Sequence, residues 1–275
     1  MRKRALVQKF FADRGTHLAA MVAYFALLSF VPLTFLALSL LGFAHRADAS
    51  DFLVRELSRA FPSTSIASII RLVHQVQDNA TTLGIIGAVA LLWSSLSLFS
   101  ALESAFNIVY GLPNRPFLRG KALAATLMVA TITMLFISLV IGAGGVEVLK
   151  RYAPGFVGNG IVAYTVSITV SLLGVFVFLF AVYWRLPATN VTRRDALPGA
   201  IAASIVLEAS FQIVPIFVRL ADVNPVLRVL GGPAILLLWM FVMANVIVLG
   251  AELNWWASER RGLARPGPEP VDGLA

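Results

Sequence analysis

Glu208 stands inside an apolar stretch, 197–220, with Ser204 four residues before it and Gln212 four after. At about 3.6 residues per turn, Ser204, Glu208, Gln212 and Pro215 share one helix face, and Arg219 extends it. Glu208 lies about 16 Å along the axis from Leu197, near the middle of a bilayer-length helix. A carboxyl at that depth is costly unless it faces a bundle interior or a water-filled cavity. Its chemistry would be that of a proton or polar-substrate relay: a carboxyl that can gain or lose a proton, flanked by an amide and a hydroxyl. The plainer alternative is an interhelical contact with Glu208 neutral or paired. Pro215 cannot donate to the preceding turn, so a kink or a freed carbonyl is expected there.

Two other stretches carry polar faces. In the second apolar stretch and just beyond it, Trp93, Ser97, Ser100, Ser104 and Asn107 recur at helical spacing, with Glu103 near the end. Serines at such positions also let helices approach and bond across the interface. In the last apolar stretch, Asn245 and Glu252 are seven residues apart and so share a face, with Glu252 in reach of Arg185, Arg193 or Arg194. The first stretch contains Tyr24 and Pro32. The candidate polar cavity therefore comprises Glu208, Gln212, Ser204, Arg219, Ser97, Ser100, Asn107, Asn245 and Glu252, with Pro32 and Pro215 as kink positions.

No catalytic, cofactor-binding or metal-ligating residue is assigned. There is no cysteine, which excludes disulfides and thiolate chemistry. His17, His45 and His74 are far apart, and neither a P-loop nor an HExxH helix occurs. The expected class is a non-enzyme without a cofactor.

These groups must be held by membrane-spanning helices. Of 275 residues, 59% are hydrophobic and only 13% charged, against about 25% in an average soluble domain. Mean hydropathy is +0.84. A soluble chain could not cover that much apolar surface, and disorder needs low hydrophobicity. Six runs reach the roughly 20 residues a bilayer requires: 17–43, 82–102, 121–141, 161–184, 197–220 and 232–256. They are continuous rather than alternating, hence helical rather than barrel strands. The predicted fold is all-α and polytopic, a six-helix transmembrane domain over 1–257 and a disordered cytoplasmic tail over 258–275. The first run is longer than a signal-peptide core and begins after Asp13 and Arg14, so it reads as a retained helix.

Lysine and arginine set the direction. Of the 22, fourteen lie in the N-terminal tail, the second and fourth connections and the C-terminal tail, and eight on the opposite side. The even number of spans and the positive-inside rule put both termini in the cytoplasm. The net charge of +8 is then a topology marker and needs no nucleic acid. The first outer connection holds two amphipathic helix candidates, one capped by Ser50 and ended by Pro62, the other from about Ser65. The remaining outer connections are read as short turns at 142–145, Pro154-Gly155 and Asn224-Pro225.

The first and last hairpins share a pattern. Ser29-Phe30-Val31-Pro32 parallels Ser210-Phe211-Gln212-Ile213-Val214-Pro215, and Leu83-Gly84 before Trp93 parallels Leu230-Gly231 before Trp239. A parallel repeat about an axis along the membrane normal would superpose Pro32 on Pro215 and Trp93 on Trp239.

Four segments together resemble the BrkB/YihY family: AAMVAYFALLSFVPLTFLALSLLG, LLWSSLSLFSALESAFNIVYG with Arg115-Pro116-Phe117, Trp184-Arg185-Leu186-Pro187 followed by RRDALPGA, and LLLWMFVMANVIVLGAELN. The resemblance covers residues 10 to 257 and rests on the order and spacing of the segments. It implies a bacterial inner-membrane protein of six helices without a settled activity; virulence-factor, serum-resistance, transporter and ribonuclease BN labels travel with the family. No carboxylate or histidine cluster supports the ribonuclease label.

The reading is an integral inner-membrane transporter, or lipid- or envelope-handling protein, without its own ATPase. Its expected partners are the bilayer and a lipid or small solute, and not nucleic acid. Small residues such as Gly84/Ala88 and Gly199/Ala203 would serve close helix contacts within the bundle or between subunits of a homo-oligomer. The alternative is a membrane scaffold or interaction protein with a fully packed bundle.

Overall fold

The computed structural model describes residues 6–43, 80–152, 160–223 and 225–260, with side chains for part of them. All of the regular structure there is helical: α1 Leu6–Ala12, α2 Gly15–Phe43, α3 Ala80–Tyr110, α4 Phe117–Tyr152, α5 Gly160–Arg185, α6 Arg193–Val223 and α7 Pro225–Arg260. Among the described residues, four helices are long and apolar enough to cross a membrane, through Phe117–Met134, Ile168–Arg185, Arg193–Ile213 and Leu236–Arg260. Gly15–Phe30 of α2 is a shorter apolar stretch.

Each of the six apolar runs coincides with one long helix, but the helices outlast the runs. α3 continues past Leu102 to Tyr110, and its last turns carry Glu103, Ser104 and Asn107. These polar groups end the hydropathy signal without ending the helix. The stop comes at Gly111, in the left-handed region at φ 66°. The Gly111 N–H donates to the Ile108 carbonyl and the Leu112 N–H to the Asn107 carbonyl, a Schellman close for which glycine is the low-cost residue. At the start of α6, Asp195 occupies the first turn, where its charge favours the helix dipole, and accepts from the Thr192 hydroxyl. Pro225 opens α7 at the position where a missing N–H costs nothing.

The expected turn at 142–145 is not observed. α4 runs through Gly142, Ala143, Gly144 and Gly145 to Tyr152. Each glycine costs only about 1 kcal/mol in a helix interior, and the helix formers Glu147, Leu149, Lys150 and Arg151 follow before Pro154. The helical assignment also continues through Pro32 in α2 and Pro215 in α6. The amphipathic candidates beginning near Ser50 and Ser65, and the Pro154-Gly155 turn, lie outside the described residues. α7 reaches Arg260, inside the segment read as a tail, and the rest of that tail also lies outside the described residues.

α2 packs on α3 and α7, α3 on α4, α6 on α5 and α7. α4 and α5 meet where a Cβ on Gly174 would come within 3.6 Å of Met134. Among the described residues, the α2–α7 packing has no counterpart of similar extent between α6 and α3. α1 crosses from α2 to α7.

The described core sits at one end, where α1, the α3–α4 connection, the α5–α6 connection and the end of α7 converge. Ala19, Phe106, Ala196, Ala200, Val248 and Ala251 are fully buried there. Away from it, large apolar side chains point outward, among them Val89, Trp93, Leu173, Ile205, Ile213 and Val242. An apolar exterior on this scale suits lipid rather than water.

Candidate functional site

Polar side chains gather in two places. The first lies within the apolar part of α6. Glu208 is buried, and both of its carboxylate oxygens are engaged. The Ser171 hydroxyl of α5 donates to one at 2.7 Å, and the Gln212 amide, one turn on, donates to the other at 3.1 Å. Both donors are themselves exposed. Glu208 is thus a covered carboxylate behind an open polar rim. Around the helix it marks the edge between the packed arc of Ala200, Ala203 and Leu207 and the open arc of Ile201, Ile205 and Ala209.

The second gathering fills the packed end, and its members are held by long-range contacts. Lys9 of α1 is buried. Its ammonium lies 2.9 Å from Glu252 of α7, which has no exposed surface. The same ammonium pairs with Asp13, donates to the Val109 carbonyl at 2.8 Å and lies 4.2 Å above the Trp255 ring. Lysine thereby meets two carboxylates, a carbonyl and an aromatic face, which is what makes a buried charge tolerable.

Arg115, in the α3–α4 connection, donates to Glu103 at 3.1 Å and to the carbonyls of Arg185, Leu186 and Pro187. Its planar fork thus pins the end of α5 to α3. Asn107 accepts from the Ala188 N–H at 2.8 Å and donates to Asn114 at 3.0 Å. Asn254 accepts the Gly199 N–H at 2.6 Å. That contact needs glycine, since a Cβ at Gly199 would collide with the Gly250 carbonyl. The Tyr183 hydroxyl donates to the Ile247 carbonyl at 2.8 Å. Burial pushes the Tyr110 phenol above its ordinary pKa, and the Asp195 and Glu252 carboxylates push the same way.

The residues singled out in the sequence divide between these regions. Glu208 and Gln212 come together as their spacing predicts. Ser204, a turn earlier, returns its hydroxyl to the Ile201 carbonyl. Ser97 and Ser100 do the same with the carbonyls of Trp93 and Leu96, and Ser100 also accepts from Lys121. Asn245 donates to the Phe241 carbonyl. The partner that Glu208 finds on another helix is Ser171 of α5, not the serine face of α3. Trp93 is 80% exposed, and the serines buried beside it are Ser94 and Ser95. Asn107 and Glu252 belong to the packed end. Glu252 pairs with Lys9 rather than with Arg185 or Arg193. Arg185 and Arg193 instead lie over the Trp184 ring. The side chains of Arg219, Pro32 and Pro215 lie outside the described residues.

Four residues escaped the sequence reading: Lys9, Arg115, Asn254 and Ser171. In the sequence Lys9 stands out only as inside-facing charge, and Arg115 as that and as part of a family segment. The i, i+4 pair of Lys9 with Asp13 was the available sign of α1.

The comparisons with known proteins agree on the family. The family described as Virulence factor BrkB matches residues 6–273. The chain belongs to the BrkB family. Among BrkB relatives, a UPF0761 membrane protein of Cronobacter sakazakii is 26% identical over 95% of this chain and 90% of its own. The ribonuclease-like protein YfkH of Bacillus subtilis is 25% identical over 96% of this chain and 98% of its own. The UPF0761 membrane protein YihY of Salmonella typhimurium is 27% identical over 71% of this chain and 66% of its own. No solved structure matches. This BrkB chain is thus a membrane protein, all helical in its described regular structure, of a family without an assigned activity.

Proposed function

We propose that the chain spans a bacterial cytoplasmic membrane six times, with both termini inside, and passes a lipid or small polar solute along a polar step at Glu208 without an ATPase of its own. The six spans are supported by the match of each apolar run to one long helix. The orientation is supported by basic residues: α1, the α1–α2 turn, the α3–α4 connection and the adjoining ends of α4, α5, α6 and α7 share one end and hold nine of the 13 lysines and arginines among the described residues.

One observation carries the functional part. Glu208 is only 6% exposed, yet it is bonded by Ser171 and Gln212, which are open. A purely structural carboxylate is better served by partners buried with it, as Glu252 at the packed end is by Lys9. The open rim of Glu208 offers a hydroxyl and an amide to a passing polar group, and the carboxylate can follow by taking up a proton. The test is reconstitution in liposomes, with tail-labelled phosphatidylglycerol reporting lipid scrambling and a trapped pH dye reporting proton flux. Wild type should support one of these fluxes, and Glu208→Gln should lose it.

A scaffold reading has its own support in the closed packing of the inner end. In that reading no flux appears with wild type, while the fold survives Glu208→Gln.

A further inference from the structure

α1 is too short to span a bilayer, and it faces three environments at once. Its inward arc carries Lys9 and Phe10, both buried. Lys9 ties it to Glu252 and Trp255 of α7. Phe10 lies on the bare backbone of Gly15, where any Cβ would strike the ring. The reversal between α1 and α2 is fixed by Arg14, in the left-handed region at φ 55°. α1 is therefore firmly seated on the bundle.

Its outward arc is divided. Val7 and Phe11, one turn apart, are 61% and 64% exposed. Gln8 and Ala12 are the open residues beside them, about 100° further round.

The height of α1 is fixed by tryptophans. The Lys9 ammonium lies over Trp255, the next residue Trp256 carries Arg260 3.5 Å above its ring, and Trp184 carries Arg185 and Arg193. Tryptophan with arginine at helix ends marks the headgroup level of a bilayer. An apolar edge at that level meets the acyl boundary. The cationic residues Arg14 and Arg260 suit an anionic leaflet.

We propose that α1 is an interfacial helix that lays Val7 and Phe11 into the inner leaflet, against anionic phospholipid, while Lys9 clasps it to α7 and Gln8 and Ala12 face the cytoplasm. Its buried and lipid-facing arcs then hold the inner ends of α2 and α7 at a fixed depth. The proposal rests on the membrane-spanning arrangement and is independent of any role of Glu208.

The absence of native cysteine makes the test clean. Full-length Phe11→Cys, Ala12→Cys and Trp93→Cys are each labelled with an environment-sensitive dye. They are reconstituted in vesicles of phosphatidylethanolamine and phosphatidylglycerol, and quenching by brominated lipid is compared with quenching by aqueous iodide. The Phe11 label should be quenched several-fold more by brominated lipid than the Ala12 label, and shielded from iodide. Iodide quenching at Phe11, with lipid quenching retained at Trp93, overturns the interfacial helix and leaves the spans standing. Protection from both quenchers overturns it in favour of a second copy or other protein covering α1. Loss of lipid quenching at Trp93 marks failure of the spanning arrangement itself.

Discussion

Glu252 and Glu208 are both buried carboxylates in long apolar helices, and their surroundings differ in kind. Glu252 meets a buried lysine that also engages Asp13, a carbonyl and an indole. Glu208 meets a hydroxyl and an amide on open side chains. The first arrangement fixes a charge by enclosing its counter-charge. The second leaves the carboxylate covered while its two bonding partners are exposed. The difference separates a region that holds helices together from the one for which we propose a part in movement.

The contrast is broken most forcefully at Lys9. Lys9→Met leaves Glu252 buried without its cation and should lower stability by about 3–5 kcal/mol, measured by thermal unfolding of purified protein. The double variant Lys9→Met/Glu252→Met should recover much of that loss, because an apolar pair of similar volume needs no compensation. Gly199→Ala comes next. It forces a methyl against the Gly250 carbonyl and Asn254 and should cost about 1–3 kcal/mol by the same assay. Arg115→Lys keeps the charge but loses the fork that reaches Glu103 and three carbonyls. About 1–2 kcal/mol should follow, with faster proteolysis near residues 186–192 as the local readout. Glu208→Gln should be mildest for the fold, at about 1 kcal/mol or less, since an amide can still bond Ser171 and Gln212. A large destabilisation there would erase the distinction between the two carboxylates.

What could be read from the residues follows the same division. The apolar runs announce six helices because hydropathy over a bilayer length is a local property. Glu208 with Gln212 was legible because i, i+4 spacing is also local. The inner turns were harder. Glu103 and Asn107 look like the end of a span, yet α3 continues because Arg115 and the Ala188 N–H satisfy them from elsewhere in the chain. Lys9 with Glu252 and Asn254 with Gly199 join residues far apart in sequence, and nothing nearby in the chain specifies either partner. Glycines 142, 144 and 145 suggested a turn, but a helix with satisfied backbone bonds absorbs them. Ser171 carried no signal beyond its hydroxyl until α5 was set beside α6.

The central claim is that Glu208, unlike Glu252, matters for movement rather than for folding. The most direct measurement reconstitutes wild type and Glu208→Gln at equal protein density in phosphatidylethanolamine–phosphatidylglycerol liposomes. Lipid scrambling and proton flux are followed alongside the unfolding temperature of each sample. The account predicts a flux in wild type that falls at least tenfold in Glu208→Gln, with unfolding temperatures that agree within a few degrees. Flux that is unchanged by the substitution, or absent from wild type under both readouts, would contradict it.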